Sequence, residues 1–457
     1  MRGDLVQSQA GCLSVQGHSH DFYFAFPSGP RLLSSMNTEA TVSLTGIHLM
    51  AKPIGALCNL DCGYCFYLEK ENAFPPRERF RMSDEVLEAY VQRYIAAQSA
   101  PEVEFTWQGG EPTLLGLAFF ERAVALQRKF AQGKLIRNTL QTNGTLLDDE
   151  WGAFLRRERF LVGVSLDGPR ALNDVARPDK RGHSSYDDTV RGLAALSRHG
   201  VDFNVLVTVS SANVHQPLEI YRHLKELGAS FIQFNPVVER VAQPEEKIIG
   251  LHFAVPPSLS ASAVAKAKPV ARTGTAVTSH TVSALAYGAF LSAVFDEWVR
   301  NDVGMVHVMN FEWALASWCQ LPAGACIFSP RCGKAAIVEH DGSVYACDHF
   351  MYPEYRLGNV MSDDLGSMMS SQAQTDFGMA KETSLPGECQ RCEFRFACHG
   401  ECPKNRFIET GDGEPGLNYL CAGYKAYFRH ITPAMNIMAR LLGQGKQADE
   451  VMDILRC

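Results

Sequence analysis

The sequence has no basic excess, no long apolar run and no secretory-type leader. Of its 457 residues, 43 are Lys or Arg and 50 are Asp or Glu, a formal charge of -7. An acidic surface attracts neither nucleic acid nor anionic lipid, so neither partner is expected. No segment approaches the ~20 apolar residues that span a bilayer, and no basic stretch followed by a hydrophobic core opens the chain. A cytoplasmic protein without a membrane partner is expected. Hydrophobic residues make up 46% of the chain, enough for a large core, and the length suggests roughly two to four domains.

Cysteine is plentiful, and its 14 residues fall mostly in tight groups. In a short secreted chain that would suggest disulfides, but in a reducing compartment it points to metal. The first group is Cys58-Asn59-Leu60-Asp61-Cys62-Gly63-Tyr64-Cys65. Three thiols at this spacing suit three irons of a 4Fe-4S cubane and leave the fourth iron open for chemistry. Open-site clusters are easily oxidised, so an anaerobic setting is expected.

The second group comprises Cys326, Cys332 and Cys347, then Cys389, Cys392, Cys398 and Cys402, then Cys421. Asp341-Gly342 reads as a hairpin turn folding Cys347 back toward the earlier pair. Eight thiols fit two fully ligated sites. Spacing alone does not separate zinc from iron-sulfur, because zinc also favours four thiolates built from C-x2-C pairs. The open N-terminal site favours iron-sulfur, since a redox reaction begun there is served by further electron acceptors. Cys12, Cys319 and Cys457 read as free or buried thiols.

Strand and helix patterns alternate from about residue 43. Strands are predicted at 43–54, 103–107, 136–142, 160–166, 203–209 and 231–234, with helices at 84–97 (Ser83 as N-cap), 117–130, 148–155, 186–199, 214–227 and 285–299. Six strand-helix units make a parallel sheet with right-handed crossovers, hence an α/β partial (β/α)6 barrel rather than a closed eight-fold one. Its active site belongs at the C-terminal strand ends. There stand the cysteine loop, Gly109-Gly110-Glu111-Pro112, Gln141-Thr142-Asn143-Gly144 and Ser165-Leu166-Asp167-Gly168-Pro169. Residues 1–42 read as a disordered extension with Met36 an alternative start, 43–300 as the barrel, and 254–283 as a flexible insertion. A small cysteine-rich domain over 301–430 and a helical tail over 431–457 complete the plan.

C-x3-C-x2-C with Tyr64 before the last cysteine resembles the radical S-adenosylmethionine enzymes, and the later cysteines resemble their SPASM auxiliary-cluster domain. C-N-L-D-C-G-Y-C-F-Y, Q-G-G-E-P-T, Q-T-N-G-T, S-L-D-G-P and Y-A-C-D-H-F resemble more closely the anaerobic sulfatase-maturating enzymes, in order, from about residue 46 to 430. The resemblance implies three 4Fe-4S clusters and S-adenosylmethionine as cosubstrate. Cys58, Cys62 and Cys65 would hold the open cluster; Cys326, Cys332, Cys347 and Cys402 the first auxiliary cluster; Cys389, Cys392, Cys398 and Cys421 the second. Tyr64, Gly110, Ser165, Arg177 and Val238 match positions that contact the cosubstrate, Val238 replacing a leucine.

The implied substrate is a cysteine, or in some members a serine, on an unfolded sulfatase polypeptide. A 5′-deoxyadenosyl radical would take hydrogen from its Cβ, Asp348 would act as base, an auxiliary cluster would accept an electron, and Cα-formylglycine would result. A flavodoxin or ferredoxin is the expected reductant. Without the resemblance, Asp348 reads as an exposed turn carboxylate, Arg177 and Glu111 as surface charges, His349 and His399 as structural, and Phe311, Trp313 and Trp318 as core. A different SPASM enzyme crosslinking a small peptide, and a non-catalytic electron carrier or zinc-stabilised binding protein, are the competing classes.

Overall fold

Strand burial shows why the sheet is parallel. In β1 (His48–Lys52) every residue is buried, as a strand covered on both faces requires. It pairs in parallel with β2 (Glu102–Trp107), and β3 (Leu135–Thr142), β4 (Phe160–Ser165), β5 (Phe203–Val209), β6 (Phe231–Pro236) and the two-residue β7 (His307–Val308) follow in order. The computed structural model describes residues 46–74, 80–248, 252–257 and 277–456. The extension 1–42, Met36, Cys12, Cys457 and most of the insertion 254–283 lie outside the described residues. Within that insertion, Val282 is buried and Ser283 Oγ accepts from Ala286 N, so its last residues are a packed helix start.

Local chemistry sets the helix boundaries. Ser83 Oγ accepts from Val86 N at 3.3 Å and Asp148 Oδ1 from Trp151 N at 3.0 Å, capping helices Asp84–Ala97 and Asp149–Arg157. The helix predicted from Val214 starts instead at Pro217, as Pro217–Glu226. Asn213 Oδ1 holds Ser210 N in a turn, and proline suits the first helical position. Between sheet and helices, Asn138 Oδ1 accepts from Trp107 Nε1 and Gln127 Nε2, both at 2.8 Å, while Asn138 Nδ2 donates to Gln127 Oε1. A buried amide is tolerated there because its groups are paired.

The predicted hairpin exists as β8 (Ala335–Glu339) and β9 (Ser343–Tyr345). The sequence pattern did not reveal where it docks. β8 pairs in parallel with β1, from His48 opposite Ala335 to Lys52 opposite Glu339, and with β10 (Arg356–Asn359) the sheet reaches ten strands, running β10-β9-β8-β1 through to β7. The cysteine-rich part therefore continues the barrel sheet past its first strand.

The first part of the tail expected over 431–457 is the second half of helix Cys421–Gly443, which lies against helix Ala284–Asn301, and short helices Ala448–Glu450 and Val451–Arg456 follow. The two backbones meet at Gly288 and Gly423. A Cβ on Gly423 would fall 1.8 Å from Ala284 O, and one on Gly288 would fall 2.4 Å from Gly423 O. Phe311 and Trp313 are buried beside them, as expected for core. Gly423→Ala should lower unfolding stability by about 3 kcal/mol through overpacking, read as a reduced melting temperature; an unchanged melting temperature would show that the helices can separate freely.

Candidate active site and auxiliary cysteine sites

The loop after β1 carries Cys58, Cys62 and Cys65, all half-buried and none in a disulfide. Neighbouring strand tips fix it in place. From β2, Gly110 N donates to Gly55 O at 2.8 Å and Glu111 N to Leu57 O at 2.9 Å. A Cβ on Gly110 would lie 2.0 Å from Leu57 O, so only glycine permits the approach. From β3, Asn143 Nδ2 donates to Asn59 Oδ1 at 2.8 Å, and Asn59 Nδ2 donates to Thr145 Oγ1 at 2.9 Å. After β4, Gly63 N donates to Ala176 O and Asp61 N to Pro178 O.

Glu111 is the hub of this rim and has no exposed surface. Its Oε1 accepts from Thr113 N, Thr113 Oγ1 and Thr142 Oγ1, and its Oε2 from Asn143 N at 2.7 Å. The carboxylate therefore ties the β2 tip to the β3 tip. Burial raises its pKa, and these donors oppose the rise. Arg177, 6% exposed, donates from Nη1 to Tyr64 Oη at 2.8 Å, and the Tyr64 hydroxyl donates to buried Asp167.

Ser165 ends β4 and accepts from Gln141 Nε2 at 3.0 Å, while Gln141 Oε1 is buried without a partner. Val238 is buried two residues beyond β6. Tyr64, Gly110 and Arg177 thus meet at the cysteine loop, with Ser165 and Val238 on strand ends of the same sheet edge. The orphaned Gln141 oxygen under Ser165 and the half-buried thiols make a polar donor and acceptor set that fits a cluster carrying a nucleotide cosubstrate. Burial pushes Cys58 up to about 11 and Cys62 up to about 12, so these thiols stay protonated until metal displaces the protons.

Asp348 follows β9 and is 7% exposed. Lys52 at the end of β1 places Nζ 3.9 Å from Asp348 Oδ2 and 3.1 Å from Gln108 Oε1, over the Tyr67 ring at 4.4 Å. Cys347 Sγ lies 3.6 Å from Asp348 Oδ1. Burial opposes ionisation of Asp348, but the charges of His349 and Lys52 outweigh it and hold the carboxyl below its usual range. Burial takes His349 down to about 4 and also lowers Lys52, a fall that the neighbouring Asp348 and Glu339 oppose. The His349 ring packs against Phe66, centroids 4.8 Å apart and planes tilted by 44°, and is no bystander to the loop.

The eight later cysteines divide between two cavities. Cys326, Cys332, Cys347 and Cys402 line one, beside Lys381. Cys389, Cys392, Cys398 and Cys421 line the other, beside Glu388 and Lys425. Among the described residues, no three His, Cys, Asp or Glu side chains converge on one ion. Each cavity thus offers four thiols, the soft donor set that an iron-sulfur cluster takes. Cys319 packs at the edge of the main core and lines neither cavity.

Residues 53–224 match the radical SAM superfamily, and residues 326–393 match an iron-sulfur cluster-binding domain. A serine-type anaerobic sulfatase-maturating enzyme of Bacteroides thetaiotaomicron is 43% identical over 90% of this chain and 95% of its own. This chain belongs to the anaerobic sulfatase-maturating enzymes. A cysteine-type member from Clostridium perfringens is 30% identical over 85% of this chain and 97% of its own. The solved structure of native anSMEcpe with bound AdoMet and Cp18Cys peptide superposes with a TM-score of 0.73 at 29% identity, covering 86% of this chain and 98% of that one. Streptococcus suis SuiB bound to S-adenosylmethionine, 13% identical with a TM-score of 0.52 over 83% of this chain and 77% of that one, shares the fold alone.

Three readings of isolated charges are corrected in this enzyme. Arg177, Glu111 and Asp348 are not surface groups; each is buried and paired. Periodicity misses them because a loop residue has no face to read. Asp167, Lys52 and Gln108 also escaped attention. Asp167 sits inside the quoted S-L-D-G-P tip and Gln108 opens Q-G-G-E-P-T, so the strand-tip position was the available signal; for Lys52, within a buried strand, the charge itself was one. Glu111→Gln would turn an amide N–H2 toward a backbone N–H. It should cost about 2 kcal/mol and lower iron retained after anaerobic reconstitution; full iron with unchanged unfolding would remove Glu111 from the support of the loop.

Proposed function

We propose that this enzyme matures a sulfatase by oxidising one residue of the unfolded polypeptide to Cα-formylglycine, and that the preferred residue is serine. The observation that carries the reaction is Asp348, a buried carboxyl held below its usual range beside Lys52, whose Nζ lies within charge range of both Cys65 and Cys347. The base thus stands between the N-terminal cysteine loop and the first auxiliary group. The serine preference rests on identity: serine-type relatives match at 43% and 37%, cysteine-type relatives at 30%.

Three 4Fe-4S clusters are proposed, on Cys58, Cys62 and Cys65; on Cys326, Cys332, Cys347 and Cys402; and on Cys389, Cys392, Cys398 and Cys421. With S-adenosylmethionine bound, the first would supply a 5′-deoxyadenosyl radical able to take a hydrogen atom from the substrate Cβ. Tyr64, Gly110, Ser165, Arg177 and Val238 would hold the cosubstrate, with Arg177 locked by Tyr64 and Asp167. Asp348 would take the hydroxyl proton, and one electron would leave toward the neighbouring auxiliary group. Loss of a hydrogen atom, a proton and an electron converts the alcohol to the aldehyde. Lys52 and Gln108 keep the carboxylate oriented. A flavodoxin or ferredoxin is the proposed reductant. The barrel would span 43–300 and the SPASM part 301–430.

Anaerobic turnover with paired sulfatase peptides, S-x-P-x-R and C-x-P-x-R, tests the reading by mass spectrometry. The serine peptide should lose two hydrogens and turn over faster, with 5′-deoxyadenosine formed alongside. Faster conversion of the cysteine peptide would overturn the preference, and 5′-deoxyadenosine released equally with unrelated peptides would overturn the substrate class. Asp348→Asn should keep its iron and lose about 100-fold or more in formylglycine yield, the range of a missing general base; undiminished product would take Asp348 out of the mechanism. Iron and sulfide near twelve per chain are expected for three cubanes of about four irons each.

A further inference from the structure

Cys398 and Cys402 line different cavities, yet only His399, Gly400 and Glu401 separate them. All three intervening residues hold left-handed backbone, with φ of 47°, 74° and 52°. Residues with side chains rarely adopt it, and two do so here in one turn. The turn gathers its carbonyls onto one side chain. Arg406 Nε donates to Gly400 O at 2.9 Å, and Nη2 donates to His399 O at 2.8 Å and Glu401 O at 3.2 Å. Its Nη1 donates to Lys381 O at 2.6 Å, at the end of helix Gln372–Thr383.

Arg406 is 6% exposed and forms no ion pair among the described residues; its hydrogen-bond partners are carbonyls and the Ser384 hydroxyl. A buried guanidinium satisfied by neutral dipoles keeps its field. The thiols within that field are Cys332 and Cys402 on one side and Cys389 and Cys398 on the other. Lys381, fully buried, donates to Cys326 O and Ile327 O and so serves the first cavity. Glu401, whose carboxyl is pushed up by burial, accepts from Asn405 and Asn418 and lies within charge range of Cys332, Cys398 and Cys402, where it acts against Arg406.

We infer that Arg406 is a positioning residue that clamps the turn between the two auxiliary clusters and sets the reduction potential of both. This rests on the proposal that the eight thiols hold two clusters. A fixed positive charge favours the reduced, more negative form of each centre, so its removal makes both harder to reduce. The two centres then act as a matched pair of electron acceptors rather than as independent ones.

The test is an EPR-monitored redox titration of the reconstituted full-length holoenzyme, its iron content measured first. Arg406→Gln should lower the reduction equilibrium constant of both auxiliary clusters at least tenfold, about 59 mV for a one-electron step, and leave the N-terminal midpoint unmoved. Arg406→Lys, which keeps the charge but not the fork, should shift both midpoints less and in the same direction. Lys381→Met should shift the first auxiliary cluster alone. Unmoved midpoints, or a shift at one cluster only in the Arg406 variants, would overturn the inference. If Arg406→Gln does not retain iron, the Lys variant decides by the same criterion. Wild-type enzyme with iron for fewer than two auxiliary clusters would instead defeat the cluster assignment.

Discussion

Backbone contact between Leu57 and Gly110 leaves no room for even a methyl group, and the rest of the site follows from that contact. Once the β2 tip lies on the cysteine loop, Glu111 is carried inward to where the β3 tip supplies its donors. The side-chain amides of Asn59 and Asn143 then meet from the loops after β1 and β3. A loop bearing three thiols is costly to order unless many contacts share the entropy of fixing it. Here hydrogen bonds from the ends of three successive strands, β2 to β4, do so.

The auxiliary region is attached to that rim through β8, which lies on β1 over its full length. Because strand pairing fixes register residue by residue, Lys52 and Glu339 come side by side and Asp348 is delivered to the end of the same strand. Cys65 and Phe66 pack against a cluster that includes Tyr345 of β9 and Met351 from the segment after it. The proposed base is thus positioned by sheet geometry, not by a flexible linker between domains. Electron removal and proton removal would occur within one rigid edge of the molecule.

The parallel barrel was legible because each strand and helix is long and periodic, and the hairpin because Asp341-Gly342 is a strong turn signal. Strand tips were legible as a rim for the same reason: topology places them on one edge. The burial of Arg177, Glu111 and Asp348 was not legible, since a loop side chain finds its partners at separations such as the 113 residues between Arg177 and Tyr64. Likewise the docking of β8 on β1 joins residues 48–52 to 335–339, and no local pattern encodes that pairing.

Residue order alone was enough to establish which chemistry the chain can support, because thiol spacing and glycine placement are local properties that cluster ligation and tight loops demand directly. How the eight later thiols sort into two cavities, which carboxylate is buried and charged, and where Arg406 spends its hydrogen bonds are matters of folding in three dimensions. They depend on desolvation and on distances between remote segments, and these quantities exist only once the chain has packed.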